Sequence, residues 1–275
     1  MRIELRAVSV SYDEGLPTET VALRGVDIAV GEGECVAVLG PTGSGKTTLL
    51  EVMAGLTHPA SGTVSVAEGP DGLGPRDLVG LAYQFPELQF FEETVLEDVS
   101  FGPRRQGLSD EEVRSRARDA LVRSGLEPEE FADRAPLSLS AGEKRRAGIA
   151  GILALDRPFL LLDEPTAGLD PAAADLIAQT VSGEKSAGRG VVVVSHDLEF
   201  VDRVAGRTVV MGEGRLLEDA STEEVLGDAM LLERLSLAPP ARYALLERLR
   251  TVSPGEVDRV ALILGRGGTR DQASD

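Results

Sequence analysis

Short apolar runs bounded by turn residues dominate the hydrophobic pattern of the chain. Continuous apolar runs at 35–39, 159–162 and 191–194 have the length of strands. Strands that are apolar at every position are typical of a parallel sheet, because helices cover both of its faces. Alternation of apolar and polar positions predicts two half-buried strands over 3–10 and 21–30. The pattern therefore predicts an α/β fold with a buried parallel sheet, preceded in the chain by two strands that expose one face to solvent.

Segments with helical spacing separate these runs. Residues 109–124 combine high charge with apolar spacing, and Ser109 and Glu112 have the spacing of a capping box. A second helix is predicted over 140–155 and a crossover helix over 171–181. The remaining expectations are a turn at 31–34, short strands at 62–66 and 79–83, a loop at 71–76, helices again from 221, and a disordered polar tail over the last ten residues.

A glycine-rich loop joins the first continuous apolar run to a helical segment at 49–54. It has the sequence Gly40-Pro41-Thr42-Gly43-Ser44-Gly45-Lys46-Thr47-Thr48. Glycines in such a loop let main-chain N–H groups approach phosphate oxygens, and the following helix start adds free donors. Lys46 can then reach the β- and γ-phosphates, and the Thr47 hydroxyl can hold Mg²⁺. An ordinary glycine turn is the alternative, but a chain with only three lysines places one of them here.

Polar side chains follow the other two continuous runs. Asp163 and Glu164 end one of them, and His196 follows the other. In a nucleotide-hydrolysing sheet the aspartate would hold Mg²⁺, the glutamate would polarise the attacking water, and the histidine could donate to a γ-phosphate. The alternatives are a solvated turn for the two acids and a hydrogen-bonded core residue for His196. The second histidine, His58, is expected in a surface turn.

The helix predicted from 140 has a second feature at its start. Ser140 and Glu143 have capping-box spacing, which is a structural role. A helix N-terminus with a small hydroxyl residue and Gly142 is also suited to bind an anion. Both roles can hold together.

Composition narrows the classes of function. The net charge of −18 disfavours nucleic acid as the main partner, because nucleic-acid binding needs a cationic surface. The single cysteine, Cys35, excludes an internal disulfide and is expected in the core. No apolar run approaches the roughly 20 residues that span a bilayer, and the first residues read as a strand. We therefore expect a cytosolic protein unless a partner holds it at a membrane.

Together these motifs resemble the ATP-binding cassette (ABC) ATPases. Motifs of that family occur here in the family's order: the Walker A loop 40–48, the Q-loop glutamine Gln84, the signature 139–143, the Walker B run 159–164, the D-loop 167–170 and the switch histidine His196. Tyr12 stands where the family places an aromatic that stacks on adenine. The signature departs from the usual LSGGQ, because Ala141 and Glu143 replace a glycine and the glutamine. Any nucleotide contact by the Glu143 side chain is therefore in doubt.

The resemblance implies a RecA-like P-loop NTPase core with an antiparallel β subdomain, a helical subdomain at about 85–157 and a short C-terminal extension from 221, the ATPase domain being 1–220. It implies ATP and Mg²⁺, with Thr47, Gln84 and Asp163 at the metal, Glu164 as the base, and His196 at the γ-phosphate. Two ATPase subunits would pack head to tail, as a homodimer or a heterodimer. Ser140 and Gly142 of each would then act on the partner's nucleotide.

Finer features are similar to the ATPases of energy-coupling factor (ECF) transporters and their cobalt and nickel relatives. These are the segments 84–103, 149–154, 12–23 and 235–249. The resemblance implies import of a vitamin or metal ion through separate membrane subunits, with the chain peripheral on the cytoplasmic face. We expect the segment 84–103 to dock on those subunits through Phe85, Phe90 and Phe91, bordered by Glu87, Glu92 and Glu93; packing of the phenylalanines in the joint to the helical subdomain is the alternative.

Three rival functions remain in view. One is the ATPase of another importer, such as one for amino acids, which the 84–103 segment disfavours. Another is a soluble ABC ATPase of DNA repair or translation, which would need a coiled-coil insertion, zinc cysteines or a second cassette. The third is a nucleotide-binding scaffold without turnover, which the combination of Lys46, Glu164 and His196 disfavours.

Overall fold

Strands of the chain form two separate sheets. The structure, a computed structural model, describes residues 1–13, 15, 16 and 18–252. The strands are β1 (Arg2–Tyr12), β2 (Thr20–Gly31), β3 (Cys35–Leu39), β4 (Ser61–Ala67), β5 (Val79–Ala82), β6 (Phe159–Asp163), β7 (Gly190–Val194), β8 (Arg207–Gly212) and β9 (Arg215–Ser221). One sheet is antiparallel with the order β2-β1-β4. The other has the order β5-β6-β7-β3-β8-β9 and is parallel except for β9.

Helices cover the larger sheet and fill the stretch between β5 and β6. They are α1 (Lys46–Met53), α2 (Pro75–Leu78), α3 (Val95–Arg105), α4 (Asp110–Arg123), α5 (Pro128–Phe131), α6 (Ala141–Leu153), α7 (Pro171–Ser186), α8 (Leu198–Val204), α9 (Thr222–Gly227), α10 (Ala229–Arg234) and α11 (Ala241–Val252). Two 3-10 turns, Pro86–Gln89 and Pro136–Ser138, lie within the same stretch between β5 and β6. No helix within the described residues is long and apolar enough to cross a membrane.

Alternate residues of the central strands enter two different hydrophobic cores. In β3, Cys35, Ala37 and Leu39 pack with the helical side of the sheet, whereas Val36 and Val38 pack with α1 and the antiparallel sheet. The strands β6 and β7 alternate in the same way. This double burial explains why these strands are apolar at every position, and it confirms the parallel sheet predicted from the runs.

Most predicted elements are present, with some differences at their ends. The capping boxes at Ser109 and Ser140 are formed, and His58 is exposed. The loop predicted at 71–76 is wrong at its end, because Pro75 starts the short helix α2, a position where proline costs no hydrogen bond. The crossover helix α7 extends five residues beyond the prediction. The domain limits at 85–157 and 220 stay predictions, and the tail lies outside the described residues.

Candidate nucleotide site

Three neighbouring strands bring the predicted polar residues to one edge of the sheet. The strands β6, β7 and β3 are adjacent and parallel, and Asp163 and Val38 both pair with Val194 at the end of β7. Because carboxyl ends of parallel strands meet at the same edge, Glu164, His196 and the glycine loop converge there. This is the position where open α/β sheets bind ligands.

The glycine loop has a shape that side chains would prevent. Gly40 has φ +148°, and a Cβ atom at this position would lie 2.3 Å from the Met211 carbonyl oxygen. Gly45 has φ +101°, and its Cβ would lie 2.5 Å from the Ala22 carbonyl oxygen. Glycine is therefore required at both positions, one at each end of the loop.

Lys46 folds back over this loop. Its Nζ donates to the carbonyl oxygens of Gly40 at 2.8 Å and Pro41 at 3.0 Å. Burial lowers the pKa of Lys46, and the nearby carboxylates of Glu164 and Asp163 oppose this shift. Ser44 Oγ is buried and has no hydrogen-bond partner among the described residues. A cation and an unused hydroxyl in one loop fit a bound phosphate group.

Thr47 and Asp163 form a pair of oxygen ligands. The Thr47 hydroxyl donates to Asp163 Oδ2 at 2.7 Å, which joins the start of α1 to the end of β6. Burial raises the pKa of Asp163, and the hydrogen bond from Thr47 partly offsets this. A hydroxyl and a carboxylate are ligands suited to Mg²⁺, which is commonly held by one or two carboxylates together with substrate phosphates.

Glu164 is held in an uncommon backbone conformation. Its φ of +48° is left-handed, and its amide donates to the Val194 carbonyl oxygen at 2.9 Å. The Oε2 atom accepts from the His196 amide at 3.2 Å, and Oε1 lies 3.2 Å from His196 Nε2. Burial raises the pKa of Glu164, with the nearby His196 acting against it. A raised pKa and an Oε1 that no hydrogen bond satisfies suit a general base.

These residues line one cleft of about 860 Å³. Tyr12, 41% exposed, lies at its edge, where its hydroxyl is 3.2 Å from Thr48 Oγ1. The exposed ring is available for stacking. The predicted residues that line the cleft are Tyr12, Thr42, Gly43, Gly45, Lys46, Thr47, Thr48, Gln84, Asp163, Glu164 and His196.

Some predicted residues do not line it. Gly40, Pro41 and Ser44 belong to the same loop but do not line the cleft: Gly40 and Ser44 are buried, and Pro41 is exposed. Ser140 and Gly142 do not line it either. Ser140 is exposed at the start of α6, and its hydroxyl accepts from the Glu143 amide at 3.3 Å. A Cβ on Gly142 would meet that of Ala173 at 2.9 Å. The signature segment therefore presents its helix N-terminus away from the cleft of its own chain.

Glu143 has a structural role that the sequence had already allowed. Its carboxylate accepts from the Ser140 amide at 2.7 Å and lies 3.8 Å from Arg134 Nη1. The hydrogen bond from the Ser140 amide is the main cause that lowers the pKa of Glu143. In this structure the acid completes the helix cap instead of projecting from it.

Several residues of the site had not been predicted as ligands. Thr20, Val21, Ala22, Thr166, Ala167, Gly168 and Asp197 also line the cleft. The fold places them there: Thr20, Val21 and Ala22 on β2, Thr166, Ala167 and Gly168 in the turn after Glu164, and Asp197 after β7. Of these, Ala167 and Gly168 had been recognised only as part of the D-loop. Arg145, two residues after the signature 139–143, had not been predicted as a site residue either. Its guanidinium donates to the main-chain carbonyl of Glu164.

Sequence comparisons agree with this geometry. Residues 23–167 match the profile described as ABC transporter. The "Energy-coupling factor transporter ATP-binding protein EcfA2" of Clostridium perfringens (strain 13 / Type A) is 38% identical over 91% of this chain and 90% of that protein. The "Energy-coupling factor transporter ATP-binding protein EcfA" of Methanothermobacter thermautotrophicus is 42% identical over 90% of this chain and 80% of that protein.

Solved structures show the same fold. The structure of cbiO1 from Clostridium perfringens, described as part of the ABC transporter complex cbiONQ, matches with a TM-score of 0.73 and 32% identity, covering 89% of this chain and 98% of that one. The cassette MJ0796, solved as a dimer bound to ADP and Pi after hydrolysis, matches with a TM-score of 0.70 and 31% identity, covering 80% and 98%. The α/β core predicted from the sequence is confirmed by both.

Proposed function

Because this chain belongs to the ABC transporter family, among its energy-coupling factor ATP-binding proteins, we propose that it powers uptake of a vitamin or transition-metal ion through separate membrane subunits. The family assignment makes the chain an ATPase. The cleft supports this activity through one observation above all. A partly buried carboxylate, Glu164, follows Asp163, lies beside His196, and lines the same cleft as Lys46.

The predicted side chains of the cleft have distinct tasks in hydrolysis. The loop amides and Lys46 bind the phosphates of ATP, and the Tyr12 ring stacks on its base. Thr47, Asp163 and Gln84 would hold Mg²⁺, which would supply positive charge to neutralise the phosphate oxygens of ATP. Glu164 accepts a proton from the attacking water, and its raised pKa improves it as a base near neutral pH. His196 donates to the γ-phosphate and fixes the position of the Glu164 carboxylate.

The same chain also carries a helix N-terminus that could serve the nucleotide site of a second subunit. Ser140 and Gly142 lie at a helix N-terminus outside the cleft, which is suited to bind a phosphate carried by another molecule. Two ATPase subunits packed head to tail would each close the cleft of the other. The chain would thus work as half of a homodimer or heterodimer, held by membrane subunits at the cytoplasmic face of the membrane.

Replacement of Glu164 by glutamine tests the hydrolytic role. The substitution Glu164→Gln keeps the shape of the side chain and removes the base, so we expect turnover to fall by about 10²- to 10⁴-fold. Binding of ATP, measured by calorimetry, should be retained, whereas Lys46→Ala should weaken it. Turnover within threefold of the unaltered protein would reject Glu164 as the base.

Co-purification followed by mass spectrometry tests the transport role. We expect membrane subunits of an energy-coupling factor importer to be recovered with the chain. Recovery of membrane subunits from an amino-acid importer would support the first rival function, and recovery of repair or translation factors without membrane proteins would support the second.

A further inference from the structure

Arg145 uses every donor of its guanidinium on the surroundings of the catalytic turn. The side chain is buried, with 2% of its surface exposed. Its Nη1 donates to the carbonyl oxygens of Glu164 at 3.0 Å and Pro165 at 3.1 Å, and Nη2 donates to that of Ala167 at 3.3 Å. The remaining two donors, on Nε and Nη2, contact the carboxylate of Glu87 at 3.0 and 3.4 Å. Five N–H groups therefore meet five acceptors.

These hydrogen bonds hold the main chain at the carbonyl group of Glu164 and just after it. The Glu164 amide is already bound to Val194 on β7, and Arg145 binds the carbonyl of the same residue. A non-glycine residue with φ of +48° is strained, and such a conformation persists only where surrounding contacts hold it. Arg145 is thus one of the contacts that keep the Glu164 side chain directed towards the cleft.

Glu87 extends this link to the segment after Gln84. It lies in the 3-10 turn Pro86–Gln89, and its side chain is 16% exposed. The ring of Phe85, 45% exposed, lies 5.3 Å from the Arg145 guanidinium carbon. One guanidinium therefore joins the signature helix α6, the turn that carries the base, and the segment that begins at the cleft residue Gln84.

We propose that Arg145 is a positioning residue for ATP hydrolysis, which sets the main chain at Glu164 and couples it to Glu87. The proposal rests on the assignment of Glu164 as the base. Displacement of Glu87 would pull on the same guanidinium that holds the carbonyls of Glu164, Pro165 and Ala167. Movement of the segment after Gln84 would then change the position of the base without any change in the phosphate loop.

The substitution Arg145→Lys tests this role. Lysine keeps the charge but has three donors on one atom, so it cannot bind Glu87 and the three carbonyls together. A displacement of about 1 Å at the reacting group can reduce turnover by 10²-fold, and we expect kcat to fall about 10- to 100-fold. The affinity for ATP should stay within about threefold, because the hydrogen bonds of Arg145 go to Glu87, Glu164, Pro165 and Ala167 and not to Lys46 or the glycine loop.

Arg123→Lys is a matched control. Arg123 also binds a buried carboxylate, Glu184, at 3.1 Å and a main-chain carbonyl, that of Leu153, at 2.9 Å. None of these groups lines the cleft. We expect this variant to keep kcat within twofold, so a loss of buried arginine contacts in general would not explain the effect at Arg145.

A second substitution separates coupling from simple loss of packing. Glu87→Gln should lower kcat about threefold to tenfold with unchanged ATP affinity. The double variant with Arg145→Lys should be no slower than Arg145→Lys alone, because both changes break one link.

The proposal would be overturned if Arg145→Lys kept kcat within twofold, or if the effects of the two substitutions multiplied in the double variant. If Arg145→Lys does not fold, Glu87→Gln alone decides, and an unchanged kcat overturns it. Absence of hydrolysis by the unaltered protein would instead count against the proposed function.

Discussion

Burial in the cleft disfavours the charged forms of its ionisable side chains. Burial lowers the pKa of Lys46 and raises those of Asp163 and Glu164. The three side chains partly compensate one another, but Glu164 Oε1 and Ser44 Oγ remain without hydrogen-bond partners among the described residues. Such unmet polar groups cost stability. A bound phosphate would satisfy Ser44 Oγ, and the attacking water would satisfy Glu164 Oε1.

The Glu164→Gln variant should therefore be more stable than the unaltered protein at neutral pH. Since the folded state raises the pKa of Glu164 above its ordinary value of 4.5, folding favours the protonated acid. Well below pH 4.5 the glutamate is protonated in both the folded and the unfolded state, and the two proteins should unfold alike. As pH rises through the raised pKa, the unaltered protein loses this stability and the glutamine variant does not. Urea unfolding at pH 7 should show a gain of about 1 kcal/mol.

Glu143→Gln provides a control of opposite sign. Hydrogen bonds from Ser140 lower the pKa of Glu143, so its contribution to stability is present above the ordinary value of 4.5 and is lost as pH falls through the lowered pKa. This variant should be less stable than the unaltered protein at pH 7. Equal stability of all three proteins at every pH would contradict this interpretation of the buried acid.

At the scale of elements, the sequence predicted those strands best whose burial leaves a clear hydrophobic pattern. The strands β3, β6 and β7 are buried on both faces, and their apolar runs show it directly. The edge strand β9 has no fully buried residue and carries no such pattern, so neither it nor its pairing with β8 was predicted. The side chain of Arg145 could not be placed either, because its acceptors come from segments 58 and about 20 residues away in the chain.

In the segment 84–103, too, the sequence did not predict correctly which single side chains are exposed. Phe90 was expected on the docking surface, but it is half-buried and packs against the hydrophobic core on the helical side of the larger sheet. Glu87 was expected to border that surface, but it is bound to Arg145. Phe91 is 62% exposed and contacts Phe101 edge to face, with ring centres 4.7 Å apart. The exposed pair is therefore the better candidate for a docking contact.

Replacement of this pair tests the docking surface. Phe91→Ser together with Phe101→Ser should release the chain from its membrane subunits, because exposed aromatic rings are common anchors at protein interfaces. ATP binding by the isolated chain should be unchanged. Val122→Ser, which removes an apolar side chain that is 51% exposed on α4, should leave the complex intact. Retention of the membrane subunits by the double variant, with normal transport, would show that docking takes place elsewhere.

At the scale of the whole molecule, the residues assigned to ATP hydrolysis in the proposed function fall into two groups. The cleft contains the phosphate loop, Asp163, Glu164 and His196, whereas Ser140 and Gly142 do not line it. Under the proposed function, each chain would therefore have one incomplete site and one signature helix that serves a second subunit. Association of two ATPase subunits would complete both sites without any change of fold, which is why the motifs could be recognised from the sequence but their partnership could not be derived from one chain.

Hydrolysis between two subunits is tested most directly by mixing two inactive variants, Lys46→Ala and Ser140→Arg. In a homodimer of one subunit of each kind, action between subunits places both lesions in one composite site and leaves the other site intact. In a heterodimer, the matching substitution is made in the partner subunit. We predict that the mixed dimer recovers about half of the unaltered ATPase rate, as expected for one intact site of two, while each variant alone stays inactive. A mixed dimer with no hydrolysis beyond that of either variant alone would show that each chain completes its own site, and would contradict the paired mechanism.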